Sequence, residues 1–344
     1  MYAIMSTSYA QFVFGIYPGG EAGSDSGMAW GLPDDPDKIL HCLRELQGGT
    51  CPFIVRGYER FSDRGAPSRW AAQAPRNYEQ YLGEGRKLDL VLMCQSASGD
   101  VWGFVDFARQ LVERRREHLY CVQVTEEASF KNGPDAIDGA FPRVEEALVA
   151  GVLATKEALL RAGRPDILVG FNSTPTFGPH AAFWPRLREL GGQAFADAVD
   201  YVGVDFFPDV FRRAAPDGEP ESLEESARMV LAAFRNQWLP QAGLGASVPL
   251  HIAEHGWATA PDRSYARQAD VIERIVRLVW RERQRLNIAR YTLFALRDAE
   301  SASEEHAGNI FYHFGITRDD YTPKPAYETY RRLIAELGVR QPAL

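Results

Sequence analysis

Cysteine and positive charge are both scarce in this chain. Its 344 residues include four cysteines, with neither a C-x-x-C pair nor a dense pattern, which argues against a disulfide framework. The net charge of −8 argues against a nucleic-acid partner, because phosphate binding needs clustered lysine and arginine. The densest basic run, Arg114-Arg115-Arg116, lies between two glutamates and is interpreted as the solvated end of a helix.

Long apolar runs are also missing. No segment approaches the roughly 18 apolar residues that a membrane span requires, so no membrane contact is expected. The first eight residues lack the cationic and apolar regions of a secretory signal, which leads us to expect a cytoplasmic, reduced protein. Cys94 and Cys121 fall in predicted strands, where a buried small apolar side chain is the expected role.

Short apolar runs alternate strictly with amphipathic stretches along the whole chain. This alternation predicts parallel βα units, and the count of eight of each predicts one α/β (β/α)₈ TIM barrel domain over residues 1–344. The predicted strands are Phe12–Tyr17, Cys51–Gly57, Leu88–Gln95, Leu119–Thr125, Ile167–Asn172, Tyr201–Phe207, Pro249–Glu254 and Arg290–Leu296. The predicted helices lie near 36–47, 76–84, 100–117, 143–162, 180–198, 221–238, 263–286 and 324–337.

Local signals support this barrel over a doubly wound open sheet. The first strand ends in Tyr17-Pro18-Gly19-Gly20, which lacks the spacing of a glycine-rich phosphate turn. Asp35 and Pro36 form a helix start before an apolar stripe at helical spacing. The segment 221–238 carries a second stripe that is expected to face the core, namely Leu223, Met229, Val230, Ala233 and Phe234.

The loops that follow the strands are where a barrel keeps its catalytic groups. Three of these βα loops are long, at 18–35, 57–75 and 298–322. Their aromatic side chains either stack on apolar sugar faces or anchor the loops to the rim, and for each one we prefer anchoring. They are Trp30, Tyr58, Phe61, Trp70, His306, Tyr312 and His313.

Carboxylates follow two strands directly. Glu126 and Glu127 follow the fourth predicted strand, and Glu254 ends the seventh. Ionised glutamate is costly to bury without a partner, so a packing role is not the expected one. A barrel places these two strand ends across one cavity, and opposed carboxylates are the working groups of most glycoside hydrolases.

Three segments carry a resemblance to a known family. They are Ile252-Ala-Glu254-His-Gly256-Trp257, the segment Asp200–Pro208, and the C-terminal stretch that includes Tyr291–Asp298 and Thr322–Tyr327. Over nearly its whole length the chain resembles the clan A retaining glycoside hydrolases. The resemblance implies cleavage of a β-glycosidic bond in a carbohydrate by double displacement, with no metal or cofactor. It also implies that Glu254 is the nucleophile and Glu127 the general acid/base, with their carboxyl groups about 5–5.5 Å apart.

The chain departs from the family pattern at three positions. Glu126 replaces the asparagine that binds the sugar 2-hydroxyl, Phe207 replaces a tyrosine that hydrogen-bonds the nucleophile, and the tryptophan of the eighth strand is absent. Glu126 could pair with a 2-ammonium group, which predicts an amino-sugar preference and a raised pKa for Glu127. The alternative is that Glu126 turns away into a salt bridge with Arg56.

Other polar and aromatic residues at strand ends are candidates for substrate binding. Arg56 could fix the nucleophile or a substrate acid group. Asn172, Asp205 and Asp298 also end strands, although each of these four residues could instead cap a helix or satisfy loop amides. Trp257 could form the floor of a sugar subsite or pack between helices.

Two rival functions remain at this stage. The segment His251-Ile-Ala-Glu254-His255 matches the H-x-x-E-H pattern of a zinc peptidase, but that chemistry needs both histidines on one helical face and this segment has strand character. The second rival is a catalytically impaired barrel that binds carbohydrate without cleaving it. The oligomeric state is left open.

Overall fold

Eight parallel strands form the centre of the protein. The structure is a computed structural model that describes residues 12–24, 27–63, 73–131, 133–134, 136–211 and 220–340. Trp70, one of the loop aromatics singled out above, lies outside these residues. The strands are β1 Val13–Ile16, β2 Phe53–Phe61, β3 Arg86–Cys94, β4 Leu119–Val124, β5 Leu168–Ser173, β6 Tyr201–Asp205, β7 Leu250–His255 and β8 Ile288–Leu293.

The sheet closes on itself. The first strand pairs in parallel with both the last and the second, so that Ile16 lies opposite Leu293 on one side and Val55 on the other. Each remaining strand pairs with its neighbours in chain order. The predicted (β/α)₈ barrel is therefore confirmed, and the open-sheet alternative is wrong.

Seven helices of eight or more residues surround the barrel within the described ranges. They are α1 Pro36–Gln47, α2 Val101–Arg115, α3 Val144–Arg161, α4 Phe183–Ala198, α5 Pro220–Ala233, α6 Tyr265–Glu282 and α7 Pro325–Leu337. The first begins as expected, since the side chain of Asp35 accepts a hydrogen bond from the Lys38 amide at 3.2 Å. Among the described residues, no helix is both long and apolar enough to cross a membrane.

The connection between β2 and β3 differs from the prediction. The helix expected near 76–84 is a short 3₁₀ helix over Tyr78–Tyr81. Pro75 and Gly83 flank it closely, leaving too few residues for an α-helix. Its two buried tyrosines stand three residues apart, which matches the 3₁₀ period.

The second strand is longer than predicted. It continues four residues beyond Gly57 to Phe61, pairing with β3 along its whole length, and the short strand Gln73–Ala74 pairs with its far end. The side chains of Arg56 and Tyr58 therefore belong to one strand and point to the same face of it.

The apolar stripe predicted for residues 221–238 faces the core except at Met229, since Ala233 is buried and Val230 packs against the core. Leu223 and Leu231 are buried, as is Phe234 in the π-helical turn that follows, whereas the side chain of Met229 is 60% exposed. Met229 is two residues from Leu231, which places it some 200° around the helix and away from the core. Assigning Met229 to the core was therefore wrong.

Charged side chains fill part of the barrel interior. Asp89 accepts hydrogen bonds from Arg56 Nη1 at 2.7 Å, from Arg290 Nη2 at 2.8 Å and from the Cys121 thiol at 3.0 Å, and all four residues are buried. Burial alone would raise the pKa of Asp89, but the two guanidinium groups outweigh it and lower the pKa to about 2. Cys94 and Cys121 are both buried, as expected, and neither forms a disulfide. Cys121 is nevertheless more than a small apolar side chain, because its sulfur also accepts a hydrogen bond from Arg290 Nη1 at 2.8 Å.

Candidate active site

A cavity of about 980 Å³ opens at the carboxyl ends of the strands. Four of the acidic residues singled out from the sequence, Glu126, Glu127, Asp205 and Glu254, line it together with Phe207. Two of the loop aromatics, Trp30 and Tyr58, line it as well. The lining is acidic overall, since the described residues include one arginine, Arg60, against six carboxyl groups, those of Glu21, Glu126, Glu127, Asp205, Asp209 and Glu254.

Glu254 lies in β7 and is 7% exposed. Its Oε1 accepts a hydrogen bond from Arg56 Nε at 3.3 Å and another from the Tyr58 hydroxyl. Burial raises the pKa of Glu254, and the charge of Arg56 and the hydrogen bond from Tyr58 oppose this without cancelling it. The two donors therefore favour the ionised form of this carboxyl group.

Tyr58 was assigned to a loop in the sequence analysis, so its contact with Glu254 was missed. Its hydroxyl also accepts a hydrogen bond from Arg56 Nε at 2.7 Å, which fixes the phenol between the two charged groups. The signal was present in the alternation Arg56-x-Tyr58, which places both side chains on one strand face. Because Phe207 carries no hydroxyl, Tyr58 supplies from β2 the hydrogen bond that the family pattern places on the sixth strand.

Glu127 lies in a tight turn directly after β4. Thr125 and Glu127 both have positive φ angles, 68° and 48°, which are unfavourable for residues other than glycine. Hydrogen bonds hold the turn in place: the Glu126 amide donates to Asp138 Oδ2 at 2.7 Å and the Glu127 amide donates to Asn172 Oδ1 at 2.8 Å. Burial and the charges of Asp205 and Glu254 raise the pKa of Glu127 well above its usual range.

Glu126 makes the salt bridge that the sequence analysis named as the alternative to substrate binding. Its Oε2 accepts hydrogen bonds from Arg56 Nη2 at 3.2 Å and from Gln123 Nε2 at 2.6 Å. Glu126 nevertheless still lines the cavity. Burial and the charges of Glu254 and Asp205 raise its pKa well above the usual range.

Three carboxyl groups converge beside the cavity. Glu126, Glu127 and Asp205 each have one oxygen within 4.8 Å of the others, a grouping that could hold a metal ion or another cation. Asn172 links two of them, because its amide group donates to Asp205 Oδ2 while its oxygen accepts from the Glu127 amide. Asn172 itself is fully buried and positions these carboxyl groups from behind.

Four of the seven candidate binding residues do not line the cavity, namely Arg56, Asn172, Trp257 and Asp298. Arg56 and Asn172 contact the carboxyl groups that line it, as described above. Trp257 is 3% exposed, donates to Asp209 Oδ2 at 3.2 Å and packs against the guanidinium group of Arg263 at 4.3 Å. Asp298 is buried in an ion pair with Lys324 at 2.8 Å. Trp257 therefore contacts a residue that lines the cavity, Asp209, whereas Asp298 is paired with Lys324, and neither of the two lines the cavity itself. An aromatic ring does follow β8, since Phe294 lines the cavity.

The zinc-peptidase pattern fails on geometry. His251, Glu254 and His255 all lie in strand β7 rather than on a helix. The ring of His251 stacks on Tyr201 at 4.2 Å, and Nδ1 of His255 shares a hydrogen bond with the Tyr291 hydroxyl at 2.5 Å. Within the described ranges, these three side chains do not form a metal-binding group.

Comparison with known proteins places the fold among glycoside hydrolases of solved structure. No family model matches the sequence, and no curated protein matches it. A β-glucosidase from Exiguobacterium marinum is similar, with a TM-score of 0.60 and 14% identity over 99% of this chain and 100% of the other. A family 39 glycoside hydrolase from Bacteroides cellulosilyticus WH2 gives a TM-score of 0.58 and 16% identity, covering 95% of this chain and 64% of that one.

A β-glucuronidase from Ruminococcus gnavus, solved in complex with D-glucuronic acid, gives a TM-score of 0.59 and 12% identity. The match covers 94% of this chain and 48% of that enzyme, so this chain spans about half its length. These structural neighbours share the barrel, and at such low identity the likeness concerns the fold.

Proposed function

We propose that this protein is a retaining β-glycosidase in which Glu254 is the nucleophile and Glu127 the general acid/base. The observation that carries the proposal is that both carboxyl groups line one cavity in unequal surroundings. Burial raises the pKa of both groups, but Arg56 and Tyr58 donate hydrogen bonds to Glu254 that oppose its shift, whereas burial and the charges of Asp205 and Glu254 raise the pKa of Glu127 well above its usual range. Paired carboxyl groups with different protonation are what acid and nucleophile roles require.

The reaction proceeds in two displacements. A carboxylate oxygen of Glu254 attacks the anomeric carbon while Glu127 donates its proton to the departing glycosidic oxygen, leaving an ester between sugar and Glu254. Water then attacks the same carbon, Glu127 takes its proton, and Glu254 leaves as a carboxylate. The released sugar keeps the anomeric configuration of the substrate.

A panel of 4-nitrophenyl β-glycosides tests these assignments on the purified protein. We expect turnover of at least one member, with the β anomer of the product appearing first in NMR spectra. Glu254→Ala should abolish turnover of all substrates. Glu127→Ala should retain activity on substrates with good leaving groups and lose it on alkyl glycosides, since only the latter need protonation of the departing oxygen.

Normal turnover by Glu254→Ala would contradict the nucleophile assignment. The second candidate function is a barrel that binds sugar without cleaving it, and the replacement of the family's asparagine and tyrosine by Glu126 and Phe207 favours it. Saturable sugar binding without turnover of any activated glycoside would support that candidate. Unchanged turnover after dialysis against a chelator would further separate the glycosidase from metal-dependent hydrolysis.

The proposal extends to the charge of the sugar. An anionic sugar would find little positive charge in the cavity, since Arg60 is the one arginine among the described lining residues, whereas a 2-ammonium group could pair with Glu126 and the adjacent Asp205 and favour their ionised forms. Some structural neighbours were solved with galacturonate or glucuronic acid, which carry the opposite charge. We therefore expect amino or neutral sugars to be preferred over uronic acids.

Matched 4-nitrophenyl β-D-glucosaminide, glucoside and glucuronide test this preference, because they share one leaving group. We expect kcat/KM to fall in that order, and Glu126→Gln to reduce the glucosaminide-to-glucoside ratio about tenfold, as for one charge-assisted interaction. Equal ratios in the wild type and the variant would exclude a role for Glu126 in sugar choice.

A further inference from the structure

The position of the general acid determines where the leaving group must lie. A proton donor has to be within hydrogen-bonding distance of the glycosidic oxygen, so the aglycone, the part of the substrate that departs, lies next to Glu127. Phe130 belongs to the same turn as Glu127, because the Phe130 amide donates to the carbonyl oxygen of Glu127 at 3.0 Å. The turn that carries the proposed acid thus also carries an aromatic side chain that lines the cavity.

The loop after β5 continues this surface. Ser129 and Thr174 share a hydrogen bond of 3.3 Å between their hydroxyl groups, which joins the two loops. The rings of Phe130 and His180 meet edge to face at 5.2 Å, and Phe177 lies on the same loop as His180. Both phenylalanines line the cavity.

Several large apolar side chains that line the cavity are exposed. Phe130 is 39% exposed, Phe177 is 53% exposed and Met229 on α5 is 60% exposed, and all three line the cavity. A fourth, Phe211, is 59% exposed and also lines the cavity, but it packs against Phe207 and Phe311. Exposure of several large apolar side chains around one opening is unfavourable in water, and such clusters mark binding surfaces. We call Phe130, Phe177 and Met229 the apolar rim.

We infer that the apolar rim binds the aglycone, and that the natural substrate is a glycoside of an apolar alkyl or aryl group. The inference rests on the proposed function, because the role of Glu127 decides which side of the cavity holds the leaving group. The cavity volume of about 980 Å³ is at the upper end of the range for small-molecule sites, which leaves room for a substituent beyond one sugar ring. Acidic groups recognise the sugar at the inner end, and the rim removes the apolar group from water.

Thioglycosides test the rim separately from catalysis, since the sulfur-linked compounds serve as uncleaved binding probes. Methyl and n-octyl 1-thio-β-D-glucoside are titrated calorimetrically into the wild-type protein, below the micelle-forming concentration of the octyl compound. We expect the octyl compound to bind at least about tenfold more tightly than the methyl compound, because burying several methylene groups is sufficient for that difference. Phe130→Ala and Phe177→Ala should each lower this ratio several-fold.

Trp102→Ala provides the matched control. Trp102 is 70% exposed on α2 and does not line the cavity, so its removal should leave the octyl-to-methyl ratio unchanged. Equal affinity for both compounds, no detectable octyl binding, or a ratio unaffected by both rim substitutions would overturn the aglycone subsite. Failure of the glycosidase proposal would give a different result. The wild type would still bind the octyl compound more tightly than the methyl compound, and the rim substitutions would still lower this ratio, but no activated glycoside would be turned over.

Discussion

The phenol of Tyr58 lies between two charged groups, the guanidinium of Arg56 and the carboxylate of Glu254. Among the described residues, Arg56 is the only arginine in contact with Glu254. The phenol accepts from Arg56 Nε at 2.7 Å and donates to Glu254 Oε1, so the positive charge of Arg56 polarises the hydroxyl toward the carboxylate. The hydrogen bond lowers the pKa of Glu254 against the effect of burial. Removal of Tyr58 should therefore alter the protonation of the proposed nucleophile, although the charge of Arg56 lowers the pKa of Glu254 more strongly.

Tyr58→Phe tests this role in a pH profile. A nucleophile acts as the anion, so activity is lost as the pH falls through the pKa of Glu254. Without the phenol that pKa should rise, which moves the acidic limb of kcat/KM to higher pH and lowers kcat about 10- to 100-fold for one hydrogen bond to a charged group. Tyr330→Phe is the control, because Tyr330 is a buried tyrosine that bonds to the Gly15 carbonyl instead. An acidic limb that stays in place in Tyr58→Phe would contradict this role.

The turn after β4 shows how one element positions two proposed functional residues. Asp138 accepts from the Glu126 amide and from the Cys94 amide, both at 2.7 Å, and thereby joins the turn to the end of β3. Burial raises the pKa of Asp138 to about 7, although both backbone hydrogen bonds oppose the shift. The turn carries Glu127 at a positive φ angle, so the conformation depends on these hydrogen bonds rather than on intrinsic preference.

Asp138→Ala should loosen this turn and displace Glu127. We expect kcat to fall about 100-fold with little change in KM, since a displacement of about 1 Å at a reacting group has an effect of that size. Asp138→Asn keeps an oxygen acceptor and should restore most of the activity. Thermal melts of both variants separate loss of position from loss of fold, and a folded Asp138→Ala variant with wild-type kcat would contradict the positioning role.

The strands and most helices could be predicted from the sequence because each unit carries its own periodicity. The length of β2 could not, since residues 58–61 are held by pairing with β3 and by a short strand that begins twelve residues later. That error concealed Tyr58. The placement of Glu126, Glu127 and Glu254 followed from barrel geometry, whereas the packing of Trp257 and Asp298 depends on partners distant in sequence, Arg263 and Lys324 among them.

At the scale of the whole molecule, the buried carboxyl groups of the candidate active site should reduce the free energy of unfolding at neutral pH. Burial raises the pKa values of Glu126, Glu127 and Asp205 well above the usual range, and the charge of Glu254 adds to the shift in each of them. The folded state therefore binds more protons than the unfolded chain once the pH exceeds the ordinary carboxyl pKa. Their contribution to the free energy of unfolding is complete below that value and is lost as the pH rises through the folded-state pKa values.

Comparison of Glu126→Gln with the wild type isolates one of these groups. Glutamine keeps an oxygen that can accept from Arg56 and Gln123 but cannot ionise, so the variant should gain stability relative to the wild type as the pH rises above about 4.5. The slope of the difference can reach at most about 1.4 kcal/mol per pH unit, the value for one proton.

The measurement is urea unfolding from pH 4 to pH 9, with Glu117→Gln on the exposed end of the α2 region as the control. Burial lowers the pKa values of His251 and His255. These histidines therefore contribute stability that is complete above about pH 6.5 and is lost on acidification. The contribution is the same in the wild type and in Glu126→Gln. Taking the difference between variant and wild type removes their effect. If the difference in the free energy of unfolding does not change with pH, the pKa of Glu126 is not raised in the folded protein. The carboxyl cluster would then lack the pKa shift described above.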